Sequence, residues 1–244
     1  MGSLDVSPRP LGSRPGSTGQ PEANTDTVSA IVVRKAVRYE SFLGSGGVLA
    51  ADGRQYVVAS LKGKNGQLDT EYVFEASGQT WEADLSTTGG RTRSVADREW
   101  PVIGFDLPSP LSASTPRIRS EDSGERWTLG DDASTVLSEP GPRYELNGLT
   151  APETVSQGEP MTVELSVTNV SETDGRFLAA VYWPTERIAD DDESHVIERT
   201  VAAGDTVSAT LDIGTSATVN ETKAVTLSVE GHVSTSRDVR VEVP

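Results

Sequence analysis

Cysteine is missing from the chain, histidine and methionine occur twice each, four residues are lysine, and aromatic side chains make up 5% of the 244 residues. Each shortage closes a class of function. Without cysteine there is no disulfide framework, no thiol nucleophile and no cysteine-ligated zinc. His195 and His232 are the only histidines, too few for a histidine-built metal centre without carboxylate help. No run approaches the roughly 18 apolar residues of a membrane-spanning helix. Met1 to Gln20 contains no apolar stretch of the secretory-signal kind. A glycine-flanked serine elbow is absent too: Gly44-Ser45-Gly46 reads as a flexible turn. Gly44 to Gly47 lacks the following helix that would cradle a phosphate. The expectation is a protein that is not an enzyme.

What the chain has in surplus is acid. Thirty-seven acidic residues face 21 basic ones, for a net charge of −16, and only Lys35, Lys62, Lys64 and Lys223 among the basic residues are not arginine. Phosphate backbones need a basic face, so nucleic acid is excluded as a partner. Acid excess with scarce lysine is similar to the proteins of haloarchaea. In molar salt the screening length is about 3 Å, so crowded carboxylates repel little and keep the surface hydrated. The other reading is an ordinary acidic secreted protein of a high-GC bacterium.

Residues 1–26 are rich in Pro, Gly and Ser with almost no apolar content, and cannot offset their ordering entropy by burial. They read as a disordered tether. Residues 27–143 read as an N-terminal β-sandwich. Val28–Tyr39 predicts one strand, or two around a bend. Tyr56–Leu61 is apolar on both faces, as in a central strand. Ser77-Gly78 predicts the turn of a hairpin, after which Trp81, Ala83 and Leu85 face one way and Glu82 and Asp84 the other. Arg91–Glu99 is expected to hold a short helical turn. Trp100–Leu107, bracketed by prolines, is expected at a sheet edge. No twelve-residue window carries a helical stripe. Glu139-Pro140-Gly141-Pro142 marks a stiff boundary.

Residues 144–244 carry the clearest pattern. Apolar residues alternate with polar ones at Met161–Val167, Val207–Ile213, Val225–Val229 and Val239–Val243, and such period-two runs are half-buried antiparallel strands. Phe177–Trp183 and Val196–Val201 add more apolar strands. About seven short strands separated by turn signals predict an immunoglobulin-like sandwich without its Cys pair. The fold class expected is therefore all-β, with two tandem antiparallel immunoglobulin-like sandwiches. The segment Ala151–Pro160, with Val167-Thr168-Asn169 closing the next strand and Thr200–Thr206 before a later one, resembles the CARDB-type modules of bacterial and archaeal surface proteins. The resemblance covers about residues 148–243. It implies an Ig-like domain linked to cell adhesion, at a cell surface or outside the cell, with a protein or glycan as partner. The signal or anchor for such a location is not within this stretch, and a cytosolic home is the rival reading.

Candidate sites are few. Asp190, Asp191, Asp192 and Glu193 form the densest carboxylate cluster. They would supply oxygen ligands to Ca²⁺ in an extracytoplasmic cation- or small-ligand-binding protein, or else form a solvated loop, the reading also given to Glu121-Asp122 and Asp131-Asp132. His195 follows that cluster, and both histidines otherwise read as surface residues. Asn169 and Asn220 open Asn-x-Ser/Thr sequons at predicted turns and are candidate glycosylation sites. Trp81, Trp100, Trp127, Trp183, Tyr72 and Phe74 would line a ligand cleft or anchor the cores.

Overall fold

The computed structural model describes residues 27–40, 46–62, 71–86, 94–95, 102–184 and 192–244. The tether, Trp100 and the first two residues of the acidic cluster, Asp190 and Asp191, lie outside them. The protein is all-β, with one short helix among the described residues. In chain order the first half holds β1 (Thr27–Arg34), β2 (Val37–Glu40), β3 (Gly46–Leu49), β4 (Arg54–Lys62), β5 (Tyr72–Ala76), β6 (Gln79–Glu82), β7 (Leu85–Ser86), β8 (Ser94–Val95), β9 (Val102–Pro108), β10 (Arg117–Ser120), β11 (Arg126–Thr128) and α1 (Asp131–Ser138). The second half holds β12 (Tyr144–Thr150), β13 (Thr154–Ser156), β14 (Met161–Asn169), β15 (Gly175–Pro184), β16 (Asp192–Val201), β17 (Thr206–Ile213), β18 (Lys223–Gly231) and β19 (Thr235–Glu242).

In the first half, β1-β4-β9-β7 form one sheet, β11-β10-β5-β6 a second and β3-β2-β8 a third. The bend after Arg34 divides the expected Val28–Tyr39 strand into β1 and β2. β4 is central, and its two faces feed different clusters, as its doubly apolar sequence requires. Val57, Ala59 and Leu61 join Phe74, Phe105, Leu107 and Ile118. Tyr56 and Val58 pack with Val37, Leu85 and Val102 on the other side. Ser77 and Gly78 have φ of 49° and 79°, the two positive values that a tight two-residue hairpin turn demands. The run from Trp81 to Leu85 keeps its alternation but changes sheets. β6 pairs with β5, and β7 pairs with β9.

Three local expectations need correction. β9 is not an edge strand: it lies between β4 and β7, with Val102–Phe105 buried. Its described proline, Pro108, stands at the strand end, where a missing N–H removes no bond from the ladder interior. Ser94-Val95 form no helical turn but pair with Tyr39 and Glu40 of β2. Asp131-Asp132 are not loop residues but the first turn of α1, where carboxylates meet the partial positive charge of the helix start. With Leu137 its only fully buried residue, this eight-residue helix has no stripe to reveal it.

In the second half β12-β14-β17 face β13-β19-β18-β15-β16, and β13 runs parallel to β19. The alternating side chains of both sheets meet in a single apolar cluster from Tyr144 to Val241. Trp183 is buried within it, its Nε1–H donating to Thr218 Oγ1 at 3.0 Å. β15 is buried on both faces. Phe177, Ala179, Val181 and Trp183 point into that cluster, whereas Leu178 and Ala180, flanked by Tyr182 and Val196, pack against Ala36, Val48 and Ala50 of the first half. Gly47 permits this approach, since a Cβ there would collide with the hydroxyls of Tyr182 and Tyr39.

Candidate functional site

The chemistry-bearing side chains of the described protein gather where the two halves meet. Lys35, at the bend between β1 and β2, sends its ammonium to Gln55 Oε1 at 2.7 Å, Ser109 Oγ at 3.1 Å and the Glu139 carbonyl at 2.5 Å. Its three donors are thereby matched to three acceptors. Gln55 is fully buried and completes the arrangement, donating through Nε2 to the carbonyls of Pro108 and Leu137 at 2.7 and 3.0 Å. Together Lys35 and Gln55 satisfy carbonyls at and just beyond the end of α1, which the helix cannot pair itself. They tie the stiff segment 139–142 to β4. Burial draws the Lys35 ammonium down to about 8, with the Glu139 carboxylate acting in the opposite direction.

Across the junction, His232 follows Gly231. Its Nδ1 accepts the Leu178 N–H at 2.9 Å, and the His232 main-chain N–H donates to the Leu178 carbonyl at 3.0 Å. An accepting Nδ1 places the ring proton on Nε2. Tyr144 meets the imidazole edge-on at 4.8 Å between ring centres, and Phe177 stacks at 5.8 Å. Burial holds the imidazole down to about 4, opposed by the Leu178 carbonyl, 3.2 Å from Nδ1, which would accept from a protonated ring. The expectation of a surface histidine is therefore corrected for His232. Gly231 is required here: its φ is 150°, and a Cβ would run into the Leu178 carbonyl. The Tyr144 hydroxyl is buried beside Gly175 and Pro142, has no hydrogen-bond partner, and is pushed up to about 12 by that burial.

Two adjoining grooves open at this junction. One, of about 340 Å³, is lined by Lys35, Asp52, Arg54, Arg143, Tyr144 and His232 together with the Pro140–Pro142 turn. The other, of about 510 Å³, is lined by Arg34, Lys35, Asp174 and Arg176 among others. Arg54 pairs with Asp106 at 2.8 Å and Arg176 with Glu198 at 2.7 Å.

The residues singled out from sequence fall elsewhere. Asp190 and Asp191 lie outside the described residues. Asp192 and Glu193 begin β16, opposite Pro184 and Trp183 in register. His195 stands half-buried in β16. Among the described residues, no group of three His, Asp or Glu side chains is gathered to hold a metal. Asn169 is 0% exposed and wholly engaged. Nδ2 donates to the Thr173 and Val201 carbonyls at 2.9 and 3.0 Å, while Oδ1 accepts from the Ser171 amide and hydroxyl. In the folded protein this carboxamide holds a turn and offers no free nitrogen to a glycan. Asn220 is exposed between β17 and β18. Phe74 and Tyr72 belong to the first core, with Trp81 and Trp127 packed against it, and Trp183 belongs to the second. The junction residues escaped notice because they are far apart in sequence and each is ordinary alone. The one available signal was Lys35, a lysine at a bend in a chain whose basic residues are mostly arginine.

No protein-family model matches the chain, and no curated protein matches it. Among solved structures, a β-glucosidase from Listeria innocua is similar over 50% of this chain and 20% of its own, with 19% identity and a TM-score of 0.36. A β-D-glucoside glucohydrolase from Trichoderma reesei is similar over 41% and 19%, with 13% identity and a TM-score of 0.34. A DUF4785 family protein from Legionella pneumophila is similar over 78% and 53%, with 13% identity and a TM-score of 0.29. The chain thus spans about a fifth of the length of the β-glucosidases, and at these TM-scores the likeness assigns neither a fold family nor an activity.

Proposed function

We propose that this chain is a non-enzymatic binding or structural module carried outside the cytoplasm of a salt-adapted cell, in which two tandem immunoglobulin-like sandwiches are held in a fixed relation and present their surfaces to a protein or glycan. The observation that carries the proposal is the junction. Its polar side chains are used for holding: Lys35 on three neutral oxygens, Gln55 on two carbonyls, His232 on the Leu178 amide. With the apolar contact of β15 against Ala36, Val48 and Ala50, this makes the pair one stiff body, as a presenting scaffold needs. The facing of β12-β14-β17 on β13-β19-β18-β15-β16 supports the immunoglobulin-like and CARDB-like reading of residues 144–244. The net charge of −16 supports the saline environment.

Treatment of intact cells in growth salt with a protease that does not enter them tests the location. Loss of the folded chain while a cytoplasmic marker survives is expected, and protection until lysis overturns it. Far-UV circular dichroism adds a second arm: native β signal in about 2 M KCl and its loss in dilute buffer.

A further inference from the structure

The junction groove presents two cations, Lys35 and Arg143, that no carboxylate among the described residues contacts as an ion pair. The three hydrogen-bond partners of Lys35 are an amide oxygen, a hydroxyl and a main-chain carbonyl, none of them charged. Arg143 is exposed and lines the same groove, whereas Arg54, also in the lining, is held by Asp106 at 2.8 Å, and Asp52 is the only carboxylate among the described lining residues. Lys35 and Arg143 against Asp52 leave the lining with a positive excess in a chain whose net charge is −16. Tyr144 and Pro142 contribute an apolar wall, and beside it the Tyr144 hydroxyl has no partner.

We propose that this groove binds a small organic acid, a single carboxylate carried on a body about the size of one sugar ring. The size follows from the cavity: about 340 Å³, at the lower end of the roughly 300–1,000 Å³ of small-ligand sites. Arg143 offers a planar pair of N–H donors to which a carboxylate binds in bidentate fashion, a geometry that chloride cannot use. Lys35 supplies a second positive charge from the floor. Asp52 then decides among anions. It accepts hydrogen bonds from ligand hydroxyls and repels a second negative charge, so a hydroxylated monocarboxylate is favoured over sulfate. The inference concerns ligand chemistry and is independent of where the protein resides.

Calorimetry on the full chain in about 2 M KCl, with sodium D-glucuronate as probe, D-glucose as its neutral counterpart and sulfate as the dianion, tests it. Saturable heat with glucuronate is expected, none with glucose, and binding of sulfate at least about tenfold weaker. Arg143→Ala should weaken glucuronate about tenfold or more while leaving the thermal midpoint of the unliganded protein in place. Arg240→Ala, on exposed β19 away from the groove, should bind as the native protein does. Glucuronate should also raise the titration midpoint of the Lys35 ammonium, followed by NMR. Absence of saturable heat, equal binding of glucose or sulfate, or an Arg143→Ala protein that binds like the native one would each overturn the proposal. None of these results bears on the protease test of location.

Discussion

The halves built from residues 144–244 and 27–143 are both β-structure, but they bury their chains differently. In the second half each strand of β14, β17, β18 and β19 has one dry and one wet face, and the dry faces share one core. Its buried polar residues, Asn169, Thr215 and Thr218, bond to turns and strand ends of the same half or to one core tryptophan. In the first half β4 divides its faces between two clusters, β6 and β7 belong to different sheets, and the buried Gln55 reaches as far as Leu137. The lesson concerns coverage. A strand covered on one side is specified by its own alternation, whereas a strand covered on both sides is specified by partners remote in sequence.

That contrast can be broken most severely at β15, a strand of the second half whose outer face the first half buries. Ala180→Glu would place a charge at a 0% exposed position in the contact between the halves, at a cost of more than about 4 kcal/mol. Calorimetric unfolding in high salt should change from one transition to two. Ser208→Glu, on the exposed face of β17, should stay within about 0.5 kcal/mol of the native protein. A single unchanged transition for Ala180→Glu would mean that the outer face of β15 does not couple the halves.

The next effect belongs to a local lock. Asn169→Ala removes a carboxamide that serves two carbonyls and the Ser171 amide and hydroxyl, leaving the Val201 carbonyl buried without its partner. The expected loss is about 3 kcal/mol in denaturant unfolding. Asn147→Ala, whose exposed side chain meets only Thr168, should cost less than about 0.5 kcal/mol.

These two positions also show what could be read in advance. Asn169 follows the alternation of β14 and precedes a polar turn, so its place in the chain was legible. Its burial was not, because the bonds come from Ser171, Thr173 and Val201, and the last belongs to another strand. The apolar character of Phe177–Trp183 was likewise visible, but not its cause, which is Ala36, Val48 and Ala50 from more than a hundred residues earlier. Lys35, Tyr144 and His232 sit in no motif, and only tertiary contact makes them a site. α1 was missed because one buried leucine in eight residues has no period.

The junction sharpens the comparison through acid. The unfolded chain takes a proton on His232 near its ordinary 6.5, while the folded imidazole resists it to about 4. The unfolded state therefore binds more protons between these values. The stability contributed by the neutral ring is complete above pH 6.5 and is lost as pH falls toward 4, by an amount on the order of 3 kcal/mol. Denaturant unfolding across that window should show the slope, and NMR of the imidazole should show the depressed midpoint. In His232→Phe the slope from this residue should vanish, and the difference from native isolates it from the carboxylates that titrate nearby.

The smallest effect lies on the alkaline side of the same junction and has the same sign. The folded Lys35 releases its proton near 8, and the unfolded one holds it to about 10.5. Between those values the unfolded state again carries the extra proton, so stability should rise with pH as the partly buried ammonium becomes neutral in the fold. The rise is modest because water reaches part of the side chain, and because the neutral amine gives up one of its three donated bonds. It must be measured between about pH 8 and 9.5, since Tyr56 and Tyr144, both pushed up to about 12, reverse the trend once unfolded tyrosine begins to ionise near 10. Lys35→Met should flatten the curve in that interval while lowering stability throughout, because the Glu139 carbonyl and Gln55 Oε1 lose their donor. A native curve already flat from pH 8 to 9.5 would mean that the three neutral acceptors hold the ammonium fully charged, and that the groove above it is more strongly cationic than its burial implies.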